Sequence, residues 1–137
     1  MGSEMCIRDR TNPNIQLIFQ KFIAQSRGRD IRAFVVDGKV IAAMERRAGG
    51  DDFKANISQG GSGLEIELDE IATDLSIQSA EALDLQVAGI DLLYDENGYT
   101  ICEANSFPGF KGLEQYCDVN VPRKIFEAML ARMDAEK

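Results

Sequence analysis

The sequence predicts an α+β fold, a mainly antiparallel sheet packed with helices. Three observations predict it. Asp37-Gly38 separates two β-rich runs, which is among the strongest short hairpin signals. Glu96-Asn97-Gly98 separates a second pair of such runs. The order along the chain is strands, a long loop, a helix, a strand pair and a closing helix, with no internal repeat.

The elements follow in order. Residues 1–10 have no apolar period and balanced charge, and they look like a translated adapter scar. The natural fold is therefore expected over residues 11–137, with its N-terminal part missing. Ile15 to Phe19 is a short apolar run and a candidate buried strand. Phe22 to Ala24 continues it or turns away. Ser26 to Asp30 reads as a loop, Ile31 to Val36 as a strand, and Lys39 to Arg47 as the returning strand. Ala48 to Gly63 is polar and glycine-rich, and a loop this long in a small domain is usually functional or mobile. A helix opens at Leu68-Asp69-Glu70 and runs to about Leu85, with Ile71, Leu75, Ile77, Ala80, Ala82 and Leu83 as its apolar face. Val87 to Tyr94 and Tyr99 to Asn105 form the second strand pair. Ser106 to Phe110 is loop, given Pro and Gly together. Val121 to about Met133 is the last helix, with Pro122 in its first turn.

Composition narrows the function classes. The chain has 137 residues, enough for one domain. Its net charge is −8, which argues against nucleic acid as a partner. No apolar run reaches the ~18 residues of a membrane span, and no secretory signal is visible. The three cysteines, Cys6, Cys102 and Cys117, show no paired framework, so a reducing, cytoplasmic setting is expected. There is no histidine, which removes histidine-based general base catalysis and Ser-His-Asp triads.

The strongest chemical feature is the second hairpin. Glu96-Asn97-Gly98 suits a three-residue loop with Gly98 in the left-handed position, pairing Asp95 with Tyr99. Counting back sets Asp91 directly opposite Glu103, with Asn105 two residues further along on the same face. Ile90, Leu92, Cys102 and Ala104 then lie on the core face. Two opposed carboxylates are destabilising unless something neutralises them. Hard oxygen ligands suit magnesium or manganese, and a pair of such ions would clamp a nucleotide's phosphates. The alternative is that the acids face solvent and bind nothing.

Several segments, in order and correctly spaced, carry a resemblance. They are Phe19-Gln20-Lys21-Phe22-Ile23, Asp30-Ile31-Arg32-Ala33-Phe34-Val35-Val36, Glu45-Arg46-Arg47-Ala48, Asp52-Phe53-Lys54-Ala55-Asn56 with Gly60-Gly61, Val87 to Leu93, and Cys102 to Gly109. From Leu17 to about Val121 the chain resembles the C-terminal lobe of an ATP-grasp ligase of the RimK-like branch. The resemblance implies a carboxylate–amine ligase that forms an amide through an acyl phosphate, using ATP and two Mg²⁺ or Mn²⁺ ions. It also implies roles. Gln20, Lys21, Phe22 and Ile23 resemble the hinge that lies against adenine, although many relatives carry Glu where Lys21 stands. Asp30 resembles a nucleotide contact, and Lys54, Ala55 and Asn56 resemble the segment that reaches the phosphates. Arg32 and Arg46 resemble cations lining the phosphate and acyl-phosphate region. Asp91, Glu103 and Asn105 match the metal ligands.

The implied partners are ATP, a carboxylate (a small molecule or a protein C-terminus), and an amino-acid amine, glutamate by family frequency. Self-association is left open. The lobe carrying the phosphate-binding lysine and the covering glycine-rich loop is absent from these residues, so the chain is expected to be inactive alone. A non-catalytic magnesium–nucleotide module of the same fold is the alternative. Each residue also has a plainer reading. Arg32 and Arg46 could be solvated strand cations, Gly60 to Gly63 a passive turn, and Cys102 core packing. Cys117 has no assigned role.

Overall fold

The computed structural model describes residues 20–49 and 61–135. Five strands are present: β1 (Arg29–Val36), β2 (Lys39–Arg47), β3 (Ser62–Glu65), β4 (Val87–Asp95) and β5 (Gly98–Asn105). The helices are α1 (Glu70–Ala82), α2 (Lys111–Tyr116) and α3 (Val121–Ala135), with a short 3-10 turn at Ala24–Ser26. One sheet forms in the order β3-β2-β1-β4-β5, and every neighbouring pair is antiparallel. The expected α+β class and antiparallel sheet are therefore present. The strand expected at Ile15 to Phe19 lies outside the described residues.

Local chemistry explains the first hairpin. Asp37 and Gly38 both have positive φ, 49° and 71°, as a type I′ turn requires. The twist of that turn matches the strands it joins, so β1 and β2 pair from Val36↔Lys39 onward. An irregularity between Phe34 and Val35 leaves Ile41 as an extra residue on β2.

The sheet is covered on both faces. Ile31, Ala33, Val35, Ala88, Ile90 and Leu92 pack with Ala72 and Ala80 of α1. On the other face Phe34, Val36 and Met44 pack with Leu113, Cys117 and Val121 from α2 and the start of α3. Phe34, Ile31, Ile90 and Leu92 are each at most 1% exposed. Burying a side chain of that size stabilises by about 2 kcal/mol.

Three expectations need correction. First, the stretch expected to stay loop as far as Gly63 ends in β3, which pairs with β2 from Arg47↔Ser62 to Met44↔Glu65. A Cβ on Gly63 would lie 2.6 Å from the Tyr116 ring, so this glycine admits α2 against the sheet edge. Second, α2 itself was not foreseen, because six residues carry too little period to be read. It gives Cys117 a role: the thiol is buried, and its Sγ lies 3.6 Å from the Ala43 carbonyl. Third, α1 turns only part of its expected face to the sheet. Leu75 and Ala80 pack there as expected, but Ile71 and Leu83 are 65% and 57% exposed, Ala82 is exposed too, and Ala72, Ser76 and Ser79 are buried instead. Small residues let the helix axis approach the strands closely. The serines are buried at low cost because their hydroxyls donate to the Ala72 and Leu75 carbonyls one turn back.

Both ends of α1 are capped. Asp69 accepts from the Ala72 N–H at 2.8 Å at the N-terminus. The helix stops at Ala82, short of Leu85, because Asp84 takes a left-handed φ of 53°. The Asp84 and Leu85 N–H groups then turn back to the Glu81 and Ala80 carbonyls, a Schellman closure.

Candidate functional site

Period-two alternation puts Asp30, Arg32 and Phe34 of β1 on one face, the face that α2 and α3 partly cover. Strand register does the rest. Arg32 lies beside Asp91 of β4, and Asp91 lies beside Glu103 of β5. Asp30 lies beside Arg46 of β2. Asp30, Arg32, Arg46 and Asp91, from three strands, thus share one patch, with Glu103 of β5 beside it.

The patch is a bonded network. Arg32 donates through Nε and Nη2 to the two carboxylate oxygens of Asp91, the Nη2 bond being 2.8 Å. Arg46 forks onto Asp30 with bonds of 2.6 and 2.8 Å. Its Nη2 also reaches across β1 to Asp91 Oδ2 at 2.8 Å. These side chains are only 9–17% exposed. Paired forks of this kind give the strongest and most directional charge-assisted hydrogen bonds. Burial raises the Asp30 carboxyl above its ordinary value, and the Arg46 hydrogen bond only partly offsets that. Burial also works against the Arg46 charge, but the bond to Asp30 and the charge of Asp91 overcome it and raise its pKa.

The acidic hairpin reaches its expected pairing by an unexpected route. The turn holds two residues, not three, because Asp95 pairs with Gly98 and Tyr94 with Tyr99. That would slip the ladder by one. A β-bulge between Asp91 and Leu92 absorbs the slip at Cys102 and restores Asp91↔Glu103. The bulge also corrects the expected place of Cys102, which belongs to neither apolar cluster. Its thiol pKa is raised first by burial and then by the charges of Asp91, Asp30 and Glu103. Ile90, Leu92 and Ala104 do face the core.

Asn105 lies opposite Gly89, and its Oδ1 accepts from the Phe107 N–H at 2.9 Å, which starts the following turn. Glu103 is exposed. Among the described residues no three Asp, Glu or Cys side chains close into a metal cage. The oxygens of Asp91, Glu103 and Asn105 are of the hard type Mg²⁺ or Mn²⁺ prefers, but both Asp91 oxygens accept from arginines and Asn105 Oδ1 accepts from the Phe107 N–H.

The remaining sequence candidates are placed as follows. Gln20 and Lys21 are exposed, and Ile23 is buried where the chain turns into the 3-10 segment. The Ser26 hydroxyl accepts from the Tyr94 N–H, tying this segment to β4. The charge of Lys21 acts on Asp95, at the turn end of β4. That end is roughly 13 Å along the strand from Asp91. The Lys21 charge thus acts at the turn end of β4, away from the Asp91 patch. Lys54, Ala55 and Asn56 lie outside the described residues. An open groove of about 740 Å³ between β2 and α1 is lined by none of these residues.

Two features escaped sequence reasoning. The bond from Arg46 to Asp91 depends on β1 lying between β2 and β4. Gly89 interrupts an apolar strand run, and that alone could have marked a close approach of another segment.

Comparison with known proteins agrees with this architecture. The RimK-like ATP-grasp domain family matches residues 5–129. A probable alpha-L-glutamate ligase of Rhodopirellula baltica is 36% identical over 132 residues, covering 96% of this chain and 33% of that protein. A probable alpha-L-glutamate ligase of Legionella pneumophila (strain Corby) is 39% identical over 111 residues, covering 81% of this chain and 37% of that protein. The ATP-grasp ligase PsnB, solved with a phosphomimetic variant of its minimal precursor, Mg and ADP, superposes with a TM-score of 0.66. It is 24% identical, and the overlap covers 84% of this chain and 35% of that one, so it shows the fold. The chain spans about a third of the length of the two curated relatives. A sheet of this order, this acidic hairpin and a family match across most of the sequence place the chain in the RimK-like ATP-grasp domain family.

Proposed function

We propose that this chain supplies one wall of the magnesium–ATP site of a carboxylate–amine ligase. The reaction joins a carboxylate to the amine of an amino acid through an acyl phosphate. Glutamate is the favoured amine, because the curated relatives are named alpha-L-glutamate ligases. The observation that carries the reading is the register Arg32–Asp91–Glu103 across three strands. It sets hard anionic donors and arginine forks side by side on one face.

Asp91, Glu103 and Asn105 would hold two Mg²⁺ or Mn²⁺ ions, which would supply charge neutralisation for the phosphates. Arg32 and Arg46 provide donors for the charge that spreads over a transferred phosphoryl group, a reaction that depends mostly on positioning and electrostatics. Asp30 anchors the Arg46 fork and thereby aims it. The main chain of Gln20 to Ile23 would lie against adenine, with Lys54, Ala55 and Asn56 reaching the phosphates. The carboxylate substrate is a small molecule or a protein C-terminus. The free thiols of Cys102 and Cys117 support a reducing, cytoplasmic setting.

The test is thermal protection of the chain by ATP with and without magnesium. Protection that needs magnesium and disappears in Asp91→Ala and Glu103→Ala is the expected result. Equal protection in wild type and both variants would sink the proposal. ADP release by these residues within a chain of the relatives' length, on adding glutamate, separates a ligase from a non-catalytic module.

A further inference from the structure

We infer that Gly89 is a positioning residue of this site, serving as the seat on which Pro108 fixes the Asn105 turn. The inference rests on the metal–nucleotide reading for its functional consequence, but its geometry stands apart from that reading. Gly89 is a buried residue in the middle of β4, where glycine weakens a strand. Its backbone does not need glycine, since it is not among the residues with positive φ. The space above it does. An added Cβ would lie 2.8 Å from Pro108 Cβ, 3.4 Å from Arg32 Cδ and 3.6 Å from Arg32 Nε.

Both neighbours belong to the site. Pro108 is buried, and its ring cannot swing away as a flexible side-chain end could. It lies in the turn that begins with the hydrogen bond from the Phe107 N–H to Asn105 Oδ1. Asn105 is the residue paired with Gly89 across the β4–β5 ladder. Arg32 Nε is the atom that holds Asp91 Oδ1. A methyl group at position 89 therefore clashes with Pro108 and only touches the Arg32 stem, whose Cδ and Nε lie at ordinary contact distance. It lifts the Ser106–Phe110 segment, and with it the Asn105 carboxamide. Sites of this kind need their groups held within about 0.5 Å of the productive geometry.

The experiment compares the 137-residue chain with Gly89→Ala, Pro108→Gly and the double variant. The first readout needs no ligand: the side-chain ¹⁵N resonances of Arg32 Nε and Asn105 Nδ2. Gly89→Ala is expected to shift or broaden the Asn105 resonance and to leave Arg32 paired with Asp91. The second readout is the apparent affinity for Mg²⁺–ATP, expected to weaken about tenfold in Gly89→Ala. Removing the Pro108 ring makes room for the new methyl group, so the double variant is expected to bind more tightly than Gly89→Ala alone. Such coupling marks two residues in contact. An unchanged Asn105 resonance in Gly89→Ala, or a double variant weaker than Gly89→Ala, would overturn the inference. If Gly89→Ala does not fold, Pro108→Gly decides: an unmoved Asn105 resonance would overturn it equally. A wild-type chain without magnesium-dependent protection would refute the functional reading, while the resonances still report on the seat.

Discussion

At the scale of single residues, Arg46 is the side chain on which most depends. It bonds Asp30 and Asp91 together, and all three are largely buried. Removing one partner of a buried ion pair costs about 3–5 kcal/mol, because the other charges stay behind uncompensated. Arg46→Ala is therefore expected to lose stability in that range by urea denaturation. Arg46→Lys should recover only part of it, because a point charge cannot fork onto two carboxylates. Glu45 gives a pH prediction. Its carboxylate accepts from the Tyr94 hydroxyl and from Arg47 Nε at 2.6 Å. Burial pushes its pKa up, but these hydrogen bonds prevail and hold it below the ordinary 4.5. The unfolded chain then binds the proton more readily than the folded one. The stability from Glu45 is present above 4.5 and is lost as pH falls through the lower folded value. Glu45→Gln should flatten the stability profile in that acid window. Asp30 has the opposite sign, since its folded pKa lies above 3.8 and its contribution declines as pH rises through that region.

At the scale of elements, α1 shows how a helix–sheet contact overrides a hydrophobic count. Its largest apolar residues at the ends, Ile71 and Leu83, face outward, and its small residues face the strands. Ser76 is 0% exposed, so Ser76→Leu overpacks the interface and should cost about 1–3 kcal/mol. Ile71→Ala should change stability by less than about 0.5 kcal/mol. Paired chemical denaturation of the two variants checks the orientation, and a large loss in Ile71→Ala with none in Ser76→Leu would contradict it. The second hairpin teaches a related point. Its turn is one residue shorter than the turn residues suggest, and the bulge at Cys102 compensates, so Asp91 still meets Glu103. The pairing was legible although the turn was not, because an added residue in the strand cancels a missing one in the loop.

At the scale of the whole molecule, the charged patch is largely buried on the sheet face that α2 and α3 partly cover, and the chain spans about a third of the curated relatives' length. The isolated chain is expected to bind Mg²⁺–ATP weakly and to show little turnover. A coupled ADP-release assay should report strong activity only when these residues sit within a chain of the relatives' length. Robust turnover by the 137 residues alone would refute that expectation.

The sequence by itself determined the hairpins, the antiparallel class, and the placement of Asp91, Glu103 and Asn105 on one face. These depend on turn chemistry at Asp37-Gly38 and on period-two alternation, which act between residues close along the chain. Only the tertiary structure decided that β1 lies between β2 and β4, and so that Arg46 bonds Asp91 as well as Asp30. It alone showed which face α1 buries and why Gly89 carries no side chain. Those outcomes turn on which distant segments approach closely, and on the space left between them. No local periodicity encodes either.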